Sequence, residues 1–107
     1  MYAVIFEVTP LAAGRGQYLD IAAGLKEKLS GLEGFISIER FQSLTQDNKL
    51  LSLSFWESEE AITQWRNQMD HMLAQQLGRN ELFDSYRIRV ANVVRDYSQA
   101  ERAQAPA

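Results

Sequence analysis

The chain has 107 residues, 11 Lys or Arg against 14 Asp or Glu for a net charge of −3, and no cysteine. That is room for one domain only, with no disulfide framework, thiolate metal site or cysteine nucleophile. Basic residues are scattered among acids, which excludes the basic stripe that nucleic acid needs, and no apolar run approaches the ~18 residues that cross a bilayer.

Residues 2–9 alternate, with Tyr2, Val4, Phe6 and Val8 on one face, and predict a strand that Pro10 ends. The N-terminus lacks a basic n-region, so it reads as this strand rather than as a signal peptide, and the cytoplasm is the expected location. After the loop marked by Gly14 and Gly16 the period changes. Tyr18, Ile21, Ala22, Leu25 and Leu29 recur at helical spacing, which predicts an amphipathic helix from Gln17 to Ser30. Gly31 is its stop and Gly34 the loop residue before a second strand over 35–44. Residues 45–49 carry turn chemistry. Residues 50–56 alternate again, with Leu51, Leu53 and Phe55 against Leu50, Ser52, Ser54 and Trp56, so strands two and three form an antiparallel hairpin. Ser58 is a helix N-cap with Glu59 and Glu60 behind it. The segment from there to Gly78 carries two apolar stripes and is either one bent helix or two. Residues 82–97 predict a long last strand. The domain therefore spans residues 1–97, and 98–107 read as a flexible tail.

The order is β-α-β-β-α-β, the ferredoxin-like α+β arrangement of a four-stranded antiparallel sheet with two helices on one face. The strands carry apolar groups on both faces. A face open to water should read polar, so the second face is an interaction surface, and a second copy related by twofold symmetry is the simplest cover. The expected partner is thus the chain itself, as a homodimer, with no nucleic acid and no membrane.

The ordered set Phe55-Trp56-Glu57-Ser58-Glu59-Glu60-Ala61, Trp65-Arg66, His71, Ala74-Gln75, Gly78-Arg79 and Tyr86 resembles the second half of an antibiotic biosynthesis monooxygenase (ABM) domain. Gly34-Phe35 leading into Arg40-Phe41, and Val90 through Tyr97, fit the same family, so the likeness covers residues 2–97. The resemblance implies a dimeric α/β barrel with a pocket between sheet and helices in each subunit. It also implies a choice of chemistries: oxygenation of aromatic or quinol substrates without metal or flavin, heme binding and degradation, or no established activity. The heme-degrading branch uses an Asn on strand one, a Trp on the second helix, and a His about ten residues after that Trp. Here Trp65 fits, but strand one has no Asn and the tenth position is Gln75, so the heme set is incomplete.

His71, the only histidine, can take a proton from a phenol or quinol because its pKa lies near neutral; the plain alternative is a helix-surface histidine. A lone His cannot build a multi-histidine metal site, and no metal is expected. Trp65 is the expected wall for a flat substrate, or simply a core aromatic. Trp56 is expected beside the dimer interface or at the pocket mouth. Tyr86 can donate to a substrate oxygen, and Met69 lines pocket or core. Arg40 and Arg89 can steady an enolate or peroxy anion, or pair with Glu39 or Glu7. No dinucleotide fingerprint and no nucleophile elbow occur. The sequence thus predicts a cofactor-independent monooxygenase acting on a small aromatic or quinol-like molecule, with a non-catalytic small-molecule or heme-binding dimer as the alternative.

Overall fold

The computed structural model describes residues 1–11, 15–77 and 83–106, with side chains except at 70–77 and 83–84. Six elements follow in order: β1 (Tyr2–Pro10), α1 (Arg15–Leu29), β2 (Phe35–Gln42), β3 (Leu50–Trp56), α2 (Glu59–Leu77) and β4 (Phe83–Asn92). The strands form one antiparallel sheet in the order β2-β3-β1-β4. This is the expected ferredoxin-like α+β fold. No helix among the described residues is long and apolar enough to cross a membrane.

Alternation decides what each face carries. Val4, Phe6 and Val8 on β1 stand level with Ser54, Ser52 and Leu50 on β3 and with Val90, Ile88 and Tyr86 on β4. Both helices lie over this face: Tyr18 packs with Val8, and Leu29, Ala61 and Trp65 pack with Trp56. The opposite face carries Ile5, Leu51, Leu53, Phe55 and Phe41.

The α1 stripe is the predicted one, while the second predicted stripe of α2 lies, beyond Met69, outside the described side chains. On α1, Tyr18, Ala22, Leu25 and Leu29 are buried at spacings of four, three and four, while Lys26 and Lys28 sit in the last turn, where the dipole favours cations. Helix α2 is a single helix. Its N-cap is Ser58, whose Oγ accepts the Ala61 N–H at 3.2 Å. At Gly34 the backbone turns through φ +88°, and an added Cβ would lie 2.7 Å from the Ala61 Cβ. Gly34→Ala therefore meets both a left-handed backbone cost and a clash at the start of α2. We expect it to lose about 2–4 kcal/mol in urea unfolding; a variant within 0.5 kcal/mol of the parent, a margin roughly that of neutral surface changes, would refute this.

Three strand ends differ from the sequence expectation. β1 runs through Pro10, because the register shifts between Thr9 and Pro10 and such an irregularity spares the ladder a missing N–H. β2 stops at Gln42 rather than 44. Its side-chain Nε2 donates to the carbonyls of Asp47 (2.7 Å) and Lys49 (3.1 Å) and so closes the hairpin loop. β4 stops at Asn92 rather than 97. Asn92 pairs with Tyr2, and Val93 N–H reaches only the Met1 carbonyl at 3.0 Å, so alternation continues in the sequence with no strand left to pair. Beyond it the chain turns on itself. Ser98 N–H donates to the Glu101 carbonyl at 2.7 Å, and the Arg102 guanidinium lies over the Tyr97 ring at 5.4 Å.

Candidate functional site

Under the helices the described core falls into two clusters rather than one. Val8, Leu50 and Tyr18 form the first, with Phe6 against them. Leu29, Trp56 and Ala61 form the second, with Val4, Phe35, Ile38, Ile62 and Trp65 around them. Between the two lies the middle of β3, where the residues on the helix side are Ser52 and Ser54, both buried. A serine is short, so the side-chain layer on the sheet is thinner here than on either side. The buried Ala22 and Leu25 of α1 lie on the stripe between Tyr18 and Leu29, and we call this thin stretch of the sheet the trough. Ser54 Oγ accepts the Trp56 Nε1–H at 2.9 Å.

One end of this trough is aromatic. The Trp56 and Trp65 rings stack with centroids 6.5 Å apart and planes at 30°, and Phe35 meets Trp56 edge-on at 5.3 Å. Trp56, expected beside a dimer interface or a pocket mouth, lies on the helix face and is 1% exposed. Trp65 is half-buried, as are Ile62 and Met69 in the same row of α2. On the far side, Ile88, Val90 and Tyr86 of β4 stay exposed although they point to the helix side. Tyr86 is 63% exposed, with its ring 6.0 Å from that of Phe6. These side chains form an apolar ledge beside the trough.

The other end is polar. Arg40 projects from β2 opposite Ser52. Its guanidinium donates a hydrogen bond to the Tyr18 side chain, and its Nε is buried without a hydrogen-bond partner among the described residues. Burial raises the Tyr18 phenol above its ordinary 10.0, against the opposing charge and hydrogen bond of Arg40. The folded chain thus holds this proton more tightly than the unfolded chain does. Stability from this source is complete below pH 10 and is lost as pH rises through the raised folded value. We expect Tyr18→Phe to flatten the alkaline limb of an unfolding-versus-pH curve. An unchanged limb would assign it to other groups.

Arg89 is on the opposite face, where it pairs with Glu7 at 3.2 Å, and Lys49 approaches the same carboxylate at 3.9 Å. The structure therefore separates Arg89 from the trough and keeps Arg40 in it. His71 lies on α2, and its side chain is outside the described ones. Its helix position is six residues beyond Trp65, in the row of Gln64, Asn67 and Gln68, which are exposed, and not in the row of Ile62, Trp65 and Met69. Gln75, at the tenth position after Trp65, is likewise outside the described side chains. The helix-side residues of β1 from Tyr2 to Val8 are aromatic or aliphatic, with no amide to match an Asn on strand one. The residues at hand therefore do not fit the heme-degrading set. Among the described residues no three His, Asp or Glu gather in a metal-binding group.

Sequence reasoning missed Tyr18, Ser52 and Ser54 as site residues. The legible signal was Ser-x-Ser in a strand otherwise made of Leu, Phe and Trp; which face of the sheet it lay on was not legible.

The family model for antibiotic biosynthesis monooxygenase matches residues 1–77. The jasmonate monooxygenase ABM of Pyricularia oryzae is 40% identical over 93 residues, which cover 87% of this chain and 43% of that protein, so the chain spans less than half of this relative. In structure the chain is similar to Rv0793 from Mycobacterium tuberculosis (TM-score 0.75, 15% identity, covering 91% of this chain and 98% of that one). It is also similar to SnoaB, a cofactor-independent oxygenase from Streptomyces nogalater (TM-score 0.69, 13% identity, 89% and 94%).

Proposed function

The chain belongs to the antibiotic biosynthesis monooxygenase family, and we propose that it is an oxidoreductase of that family: a homodimeric monooxygenase, working without metal or flavin on a small aromatic or quinol-like molecule. The observation that carries this reading is the break in the core. A trough floored by Ser52 and Ser54 is walled by Trp65, with Trp56 stacked behind it and Met69 beside it. A flat molecule laid there stacks on the indole and is shielded from water by the helices.

The chemistry needs little from the protein. An electron-rich phenol that loses its proton can react with O2 at a ring carbon. Loss of the ring C–H proton and cleavage of the O–O bond then give a quinone. One oxygen atom stays on the ring and the other leaves as water, so O2 takes up the four electrons with no further reductant. Trp65 holds the ring and Tyr86, at the ledge, can donate to a substrate oxygen. His71 is the histidine candidate for the proton acceptor.

The test is oxygen uptake with a panel of naphthols and hydroquinones. We expect turnover with at least one of them and a loss of tenfold or more in Trp65→Ala. His71→Ala then divides two routes: lost turnover assigns the base to His71, and retained turnover places deprotonation before binding. A panel that gives no uptake, together with a Soret band on adding hemin, would replace this reading with that of a heme-binding dimer.

A further inference from the structure

A guanidinium on the helix side of a sheet is costly to bury unless each of its donors is met. Arg40 meets one need through Tyr18, but its Nε stays buried without a partner among the described residues. The carboxylates nearest in sequence and register do not serve it. Glu39 lies on the opposite face, paired in register with Leu53, and Glu7 is taken by Arg89 and Lys49. The groups placed beside it bear hydroxyls: Tyr18 from α1, which its guanidinium meets, and Ser52, opposite it in the register of β3. A cation with a spare donor, beside a phenol and level with a serine on the helix side of the sheet, is a receptor for an anionic oxygen.

Its distance from the aromatic end says which oxygen. Arg40 stands level with Ser52, four residues along β3 from Trp56, or about 13 Å at ~3.3 Å per residue. A group held there is remote from a ring stacked against the tryptophans. It is an anchor, not the oxygen at which the reaction occurs.

We propose that Arg40, with Tyr18 and Ser52, is a carboxylate-binding subsite, and that the substrate is an elongated organic acid whose flat, apolar end lies on Trp65 and whose carboxylate reaches Arg40. This rests on the trough being a binding pocket and adds the chemical class of what it binds. A carboxylate donates nothing and accepts from several directions at once, which suits a site made of N–H and O–H groups. A neutral amide of the same shape brings no charge to the guanidinium.

The probes are biphenyl-4-carboxylate and biphenyl-4-carboxamide, titrated calorimetrically into the whole chain at pH 7. We expect the acid to bind at least tenfold more tightly than the amide. Arg40→Gln should erase that preference and leave amide binding in place, while Arg89→Gln, on the opposite face, should retain it. Should Arg40→Gln fail to fold, Tyr18→Phe with the acid-to-amide ratio of the parent decides, with an expected loss of several-fold for the acid alone. Equal affinity for acid and amide in the parent, or a preference that survives Arg40→Gln, overturns the subsite and leaves the pocket standing. Binding of neither probe removes the pocket reading as well.

Discussion

Trp56→Ala will unfold at far lower denaturant than the parent, a loss of about 3–5 kcal/mol, which for a chain of this size lowers the melting temperature by roughly 15–30 °C. The residue is 1% exposed and holds the second cluster together. Phe35 meets its ring edge-on and Trp65 stacks on it. Its Nε1–H is the donor to Ser54 Oγ, so truncation opens a cavity and strips a buried hydroxyl of its partner at the same stroke. Trp56→Phe keeps most of the volume and loses only the hydrogen bond and part of the stack, and should cost about 1–2 kcal/mol. Trp65→Ala makes the informative contrast. That side chain is half-buried, so its removal should cost less stability than Trp56→Ala and, on the proposed function, more oxygen uptake than Trp56→Phe. Urea unfolding and oxygen uptake on the three variants check this, and a larger stability loss for Trp65→Ala than for Trp56→Ala would refute it.

What could be read in the sequence followed from period, and what could not depended on partners. Alternation in residues 2–9 and 50–56, and the three-and-four spacing from Tyr18 to Leu29, carried the strands, the first helix and their order, because each reports a single element's burial. Alternation also ran on through Tyr97, yet β4 ends at Asn92. A strand needs a neighbour, and β1 has none to offer beyond Tyr2. The continuity of α2 could not be read because two apolar stripes fit either one helix or two, and only the ladder itself decides. Arg40 was legible as a charged residue on a strand. Its pairing was not: charge alone nominates Glu39 and Glu7, while the pleat puts Glu39 on the other face and the phenol that does meet Arg40 comes from α1. Trp56 was legible as a strand-end aromatic, with nothing to say which side of the sheet it faced until the register with Tyr2 and Phe35 was fixed.

We expect the parent to elute at twice 12.2 kDa and Leu53→Glu at 12.2 kDa on sizing chromatography at micromolar concentration. Leu53 stands at the centre of the face that the helices leave uncovered, level with Ile5 on β1 and Glu39 on β2, with Leu51 and Phe55 two residues to either side. Phe41, level with Leu51, extends the apolar area onto β2 and stays exposed. Around it runs a charged border: Glu7 joined to Arg89 and Lys49, with Arg87 across from Glu7 on β4. An apolar centre inside a charged rim is the anatomy of an interface rather than of a wetted sheet. With twofold symmetry one substitution places two carboxylates in the middle of the same contact. An unpaired buried charge costs about 3–5 kcal/mol, and two facing each other add repulsion, so a rise in the dimer Kd of at least a hundredfold is the expected minimum. Leu53→Met, close in volume, should leave the dimer intact. The trough lies on the other side of the sheet, so a monomer made this way should still bind a flat ligand while losing thermal stability. A parent that elutes at 12.2 kDa would remove the dimer, and a Leu53→Glu variant that still elutes at twice that mass would place the interface elsewhere.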